Sequence, residues 1–234
     1  MKLRSIKSFV KRQRKLTPRQ EKAFAFAWPT FGIEINEGLL SLDKSFGRTA
    51  PKICEIGFGH GDTLIPMAKN NPDKDYLGIE VHEPGVASTL LQMIEQDIKN
   101  IRLIQQDAIL VLQQHIPDNA FSRIHIYFPD PWPKKRHHKR RLIQANFVEL
   151  LHQKLCQGGI LHCATDWENY AMHMMTVLTA NDGFKNCIGE KQFADNEKLH
   201  LRQHTKFENR GLKLGHGVWD VVFEKRKSAS DRAI

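Results

Sequence analysis

From Pro51 onward the chain alternates short β-rich runs with segments of helical period, and few architectures accommodate that alternation. Lys52 to Ile56, Asp75 to Val81, Ile101 to Gln105, Arg123 to Phe128 and Gly159 to Thr165 are predicted strands. The intervals read as helices: Asp62 to Asn70, Pro84 to Lys99, Ala108 to His115, Arg140 to Leu155 and Trp167 to Asn181. In the second of these, Val86, Leu90, Leu91, Ile94 and Ile98 recur at helical spacing. Right-handed crossovers between such strands build a mostly parallel sheet with helices on both faces. Phe184 to Ile188 and Val218 to Phe223, the latter alternating around Asp220, supply two further strands at one edge. The expected fold is α/β, a Rossmann-like seven-stranded sheet. Residues 1–30 are expected to form a basic N-terminal arm, and 31–234 a single domain that includes a polar segment at 189–216.

Composition matters mainly through where the charge lies. Residues 1–20 carry eight Lys or Arg and no acid, and 134–141, KKRHHKRR, carry six more. Removing those fourteen charges turns the net +9 into −5, so the excess of positive charge belongs to two short blocks. Two such blocks point to a polyanionic partner, nucleic acid before any other. No apolar run approaches the roughly 20 residues of a membrane helix, and the basic start lacks the apolar stretch of an export signal. A cytoplasmic protein that engages no membrane is expected. Cys54, Cys156, Cys163 and Cys187 show no C-x-x-C spacing and read as free thiols.

The first predicted strand runs into EIGFGHGDT, where Gly57, Gly59 and Gly61 allow a tight turn ahead of a helix. A glycine turn alone is a weak signal. The acids at the strand ends strengthen it: Glu55 in the first, Glu80 in the second, Asp107 after the third and Asp130 after the fourth should meet at one crevice. Glu80 is placed to accept both hydroxyls of a ribose, and Asp107 an adenine amino group. Asp107 also suits the cap of the next helix. Asp62 stands where a pyrophosphate would dock on the helix start, which disfavours a dinucleotide. S-adenosyl-L-methionine has no phosphate and offers an ammonium that Glu55 can accept.

After the fourth strand comes YFPDPWPKKRHHKRR, residues 127–141. Pro129 and Pro131 restrict the backbone around Asp130, Trp132 offers a flat face for a base, and the cations that follow suit phosphates. The adjacent His137 and His138 read as part of this basic face, since no Cys or His cluster accompanies them. No metal is expected.

Taken together, EIGFGHG, GIEVH, FPDPW-x-KKRHHKRR, ATDWENYA and TKFENRG-x-KLGHGVWD resemble the bacterial tRNA (guanine-N7)-methyltransferases over nearly the whole chain, and SFVKRQRKLTPRQEKA resembles that family's basic arm. The resemblance implies a Rossmann-like S-adenosylmethionine-dependent methyltransferase fold and methylation of a guanine N7 in tRNA, in the variable loop. It implies a cofactor site of Glu55, Gly57, Gly59, Glu80, Asp107 and Asp130, with Asp130 also catalytic. It further implies RNA contacts from Arg136, His137, His138, Lys139, Arg140 and Arg141. Lys134, Asp166, Thr205, Lys206, Phe207 and Glu208 would bind the substrate guanosine. No obligate protein partner is implied. The chain departs from the family pattern at Pro133, where histidine is frequent, and at Gln203-His204, where Arg-Pro commonly precedes the threonine. Two rival readings exist. Phe128-Pro129-Asp130-Pro131-Trp132 is similar to the Asp-Pro-Pro-aromatic pattern of amino-group methyltransferases acting on adenine, cytosine or glutamine, with the second proline displaced, and a noncatalytic RNA-binding protein could keep such a fold.

Overall fold

A computed structural model describes residues 8–9, 15–199, 201–203, 208 and 217–226. Seven strands form one sheet: β1 (Lys52–Ile56), β2 (Asp75–Glu80), β3 (Ile101–Gln105), β4 (Phe121–Tyr127), β5 (Leu155–Thr165), β6 (Phe184–Asn186) and β7 (Trp219–Lys225). Their order is β3-β2-β1-β4-β5-β7-β6. The first five strands run parallel, while β7 is antiparallel to both β5 and β6. The predicted Rossmann-like sheet is therefore present, and the reversal of strand order beside β1 creates the switch point where such sheets bind ligands.

Among the described residues, eight α-helices accompany the strands: α1 (Pro18–Phe31), α2 (Leu42–Phe46), α3 (Leu64–Asn70), α4 (Glu83–Glu95), α5 (Ala108–Gln114), α6 (Ala145–Lys154), α7 (Glu168–Thr179) and α8 (Asn196–Leu199). On one face Cys54, Leu77, Ile104, Ile124, Leu161 and Val221 pack with Val111, Leu151 and Tyr170 of α5, α6 and α7. On the other, Ile53, Tyr76, Ile101 and Leu103 pack with Ala27, Ile65, Val86 and Leu90 of α1, α3 and α4. Each fully buried Leu or Ile contributes roughly 1.5–3 kcal/mol. Cys54 and Cys163 are buried and all four cysteines are free.

Where the elements depart from expectation, a local cause is visible. Helix α4 stops at Glu95 because Asp97 adopts a φ of 52° and the Ile98 amide turns back to the Met93 carbonyl. Helix α6 starts at Ala145, since Lys135–Arg140 wind as a 3-10 helix and Arg141 then extends the backbone. Within the segment read as the basic arm, Thr17 caps α1 with a reciprocal Thr17–Gln20 capping box and Pro18 occupies the first turn. Ala23 and Ala27 of α1 are buried, Gln20 reaches the Pro84 carbonyl of α4 at 3.3 Å, and Arg19 pairs with Glu95.

Candidate active site

The parallel strands deliver five acids to one edge of the sheet. Reading across it, Asp107 follows β3, Glu80 ends β2, Glu55 lies one residue inside the end of β1, Asp130 follows β4 and Asp166 follows β5. Adjacent strands lie about 4.8 Å apart, so the row spans roughly 19 Å, the scale of a nucleoside beside a second base. The acids differ in depth: Glu55 is 2% exposed and Glu80 9%, Asp107 and Asp166 are half-buried, and Asp130 is exposed.

Glu55 is the deepest of the five. Burial pushes its carboxyl up to about 7, against a hydrogen bond from Thr63 that lowers it, with the charge of Asp62 adding to the rise. Thr63 donates to Oε1, and Oε2 is buried with no hydrogen-bond partner. An orphaned anionic oxygen in such a place is costly unless a donor arrives, and a ligand ammonium is the donor it suits.

Glu80 organises the glycine turn. Its Oε2 accepts the Gly59 amide at 3.0 Å, and its Oε1 accepts the Val81 and His82 amides at 2.6 and 2.9 Å. Gly57, Gly59 and Gly61 all have positive φ, at 75°, 56° and 81°. The turn is pressed against α4, where a Cβ on Gly85 would stand 2.3 Å from the Gly59 carbonyl oxygen. Asp107 caps α5, its Oδ1 accepting from the Ile109 amide at 3.0 Å.

The turn that carries Asp130 is held in an unusual shape. Phe128 and Trp132 both lie in the left-handed region, at φ of 51° and 45°, where non-glycine residues are strained. The Phe128 amide donates to the Ala164 carbonyl at 2.8 Å, and Arg141 donates from Nε to the Pro131 carbonyl at 2.9 Å. Arg141 thus stands apart from its neighbours in the basic block. It is 3% exposed, bonds Asn169 of α7 at 2.8 Å and lies 4.8 Å from the Tyr170 ring centre. Lys134, Arg136 and Lys139 are exposed, while His137, His138 and Arg140 are half-buried. Trp132 has one face already covered: the Arg140 guanidinium lies 4.0 Å from its ring centre, the His137 ring meets it edge-on, and its indole N–H donates to the Ser8 carbonyl.

Asp166 opens into a cleft of about 390 Å³ lined also by Trp167, Glu168, Asn169, Gly217 and Trp219. Another cleft, of about 400 Å³, contains Arg48, Asp75 and Asn100 at the opposite edge of the sheet and none of the expected residues. Thr205, Lys206 and Phe207 lie outside the described residues. Glu208 is described and buried, with both carboxylate oxygens on Arg202. Sequence reasoning missed Thr63, which bonds Glu55 eight residues away, and Tyr127, His162 and Arg202, which meet through Asp220 and one another only across the sheet; the alternation that marked Asp220 was the one available signal. Among the described residues, no group of three or more His, Cys, Asp or Glu side chains could hold a metal ion, and no helix is long and apolar enough to cross a membrane.

The strand order, glycine turn and row of acids define the class, a Rossmann-like methyltransferase. The fold recurs in the 16S rRNA methyltransferase KamB, with a TM-score of 0.59 at 12% identity over 84% of this chain and 98% of that one. It also recurs in the [4+2]-cyclase SpnF, with a TM-score of 0.54 at 15% identity over 94% of this chain and all (100%) of that one. These likenesses speak to the fold alone. Residues 49–221 match the family described as "Putative methyltransferase". The tRNA (guanine-N(7)-)-methyltransferase of Alcanivorax borkumensis is 50% identical over 96% of this chain and 93% of its own length, and that of Escherichia coli 49% over 96% and 93%. That of Pseudoalteromonas atlantica is 51% identical over 95% and 92%. The chain belongs to the tRNA (guanine-N7)-methyltransferase family.

Proposed function

We propose that this chain methylates N7 of a guanine in the variable loop of tRNA, in the cytoplasm, with S-adenosyl-L-methionine as methyl donor. Membership of the family carries the reading, and the orphaned Oε2 of Glu55 is the structural observation that supports the cofactor. When bound, the cofactor supplies an electrophilic methyl group on a sulfonium. Glu55 would accept its ammonium, Glu80 its ribose hydroxyls and Asp107 its adenine amino group, with Gly57 and Gly59 letting the backbone approach closely.

Guanine N7 is a lone-pair nucleophile that carries no proton, so the protein needs to align it and to favour the positive charge that develops on the ring. Asp130 and Asp166, on adjacent strands, would accept guanine N–H groups and do both. Lys134, exposed four residues after Asp130, would anchor a phosphate or the guanine O6 through its N–H donors. Thr205 to Glu208 would bind the guanosine. Arg136, His137, His138, Lys139 and Arg140 would contact RNA, whereas Arg141 would serve that surface indirectly by fixing the turn beneath it.

Unmodified tRNA incubated with methyl-labelled cofactor should yield borohydride-sensitive 7-methylguanosine. Label on an exocyclic amine would instead favour the amino-group chemistry, and absence of cofactor binding would favour a noncatalytic role. Asp130→Ala should lower turnover at least ~100-fold, with a smaller loss of cofactor affinity; unchanged turnover would remove Asp130 from the mechanism.

A further inference from the structure

Arg202 joins three parts of the molecule. Its side chain is fully buried. Nε and Nη2 donate to Asp220 of β7 at 2.7 and 2.9 Å, while Nη1 and Nη2 donate to Glu208 at 2.5 and 2.9 Å. The guanidinium also lies 5.5 and 5.2 Å from the ring centres of Tyr127 and Phe128. Those two residues lead directly into Pro129 and Asp130.

From Asp220 the bonding continues beneath the sheet edge. His162 Nε2 lies 2.7 Å from Asp220 Oδ1, and the Tyr127 hydroxyl lies 3.0 Å from His162 Nδ1. Burial pushes His162 below its usual value and Tyr127 well above its own, so at neutral pH the imidazole is uncharged and the phenol keeps its proton. The directions follow: Tyr127 donates to Nδ1, and Nε2–H donates to Asp220. Burial alone would raise the Asp220 carboxyl, but hydrogen bonds from His162 and Arg202 and the Arg202 charge hold it below the usual range. The cluster is thus a bidentate clamp on two carboxylates at once, a geometry that a planar guanidinium can satisfy and a lysine cannot.

We propose that Arg202 is a positioning residue for methyl transfer: it ties Glu208 to the start of the Phe128–Asp130 turn, with Tyr127, His162 and Asp220 holding it in place. This rests on the guanine-N7 reading above. Buried ion clusters contribute little net stability compared with apolar packing, and this one reaches from the fourth strand to the substrate segment, where a displacement of about 1 Å can cost on the order of 100-fold in rate.

The test compares wild type, Arg202→Lys and Tyr127→Phe, all full length, on unmodified tRNA. Cofactor Kd by calorimetry, KM for tRNA, melting temperature and the single-turnover rate are measured for each. Arg202→Lys should keep cofactor Kd and KM for tRNA within about threefold and lose roughly 30–100-fold in single-turnover rate. Tyr127→Phe, which deletes one oxygen at the far end, should lose about 3–10-fold in rate with the same binding constants. If Arg202→Lys does not fold, Tyr127→Phe decides alone. A single-turnover rate within twofold of wild type, or a loss of cofactor binding in step with rate, would overturn the proposal. Failure of the wild type to make 7-methylguanosine would refute the parent reading before any variant is compared.

Discussion

Replacing Glu55 by Gln isolates the charge of one buried carboxylate. With its carboxyl held at about 7 in the fold against an ordinary 4.5, ionising it costs roughly 3 kcal/mol. The sign follows from the direction of the shift: a carboxyl raised by folding is neutral in both states below pH 4.5, and its ionised form penalises the fold increasingly up to about 7. Above that the penalty is complete. Glutamine keeps an acceptor for Thr63 and carries no charge. Without cofactor, Glu55→Gln should therefore melt about 5–10 °C above wild type at pH 8.5 and within a degree or two of it at pH 4.5. The same variant should bind S-adenosylmethionine at least ~30-fold more weakly at pH 8.5, because the ammonium loses its anion. Wild-type affinity should itself fall about tenfold per pH unit below 7. Differential scanning calorimetry and titration calorimetry at the two pH values read all three. A melting difference independent of pH, or undiminished cofactor binding by Glu55→Gln, would refute the assignment of that buried carboxylate to the ligand.

Gly85→Ala should push the glycine turn away from α4, since its Cβ meets backbone at 2.3 Å. A stability loss of about 1–3 kcal/mol is expected, with cofactor affinity down at least ~10-fold by calorimetry; unchanged affinity would show that the turn does not need its present seat. In the basic block, Lys139→Ala should weaken tRNA binding and reduce the salt slope by about one. Arg141→Met should instead lower the melting temperature and turnover while leaving the salt slope unchanged, and a changed slope would place Arg141 on the RNA.

Much of this architecture was legible in the chain. β1 and β3 occupy their predicted residues because KICEI and IRLIQ combine branched apolar residues with clear boundaries. The start of α6 was misplaced because Leu142 and Ile143 continue an apolar period that the backbone does not follow; Arg141 there is committed to Pro131 and Asn169. Basic residues masked α1, although Thr17-Pro18 followed by Gln20 is a helix-start signal in its own right. Parallel-strand topology was enough to gather Glu55, Glu80, Asp107 and Asp130, while Asp166 was named only through the family resemblance. It was not enough to find Arg202, because a lone arginine attracts no attention in a charge count and its partners Tyr127 and Asp220 are brought to it only by the finished sheet.

The two residues in the left-handed region on either side of Asp130 have an evolutionary consequence. Glycine or asparagine at 128 or 132 would relax the backbone, each site holding about 1–3 kcal/mol of strain, so selection for heat resistance alone would tend to install them. Such a gain in robustness would loosen the segment whose shape carries the carboxylate, and enzymes under pressure to work quickly should be seen keeping the uncomfortable residues.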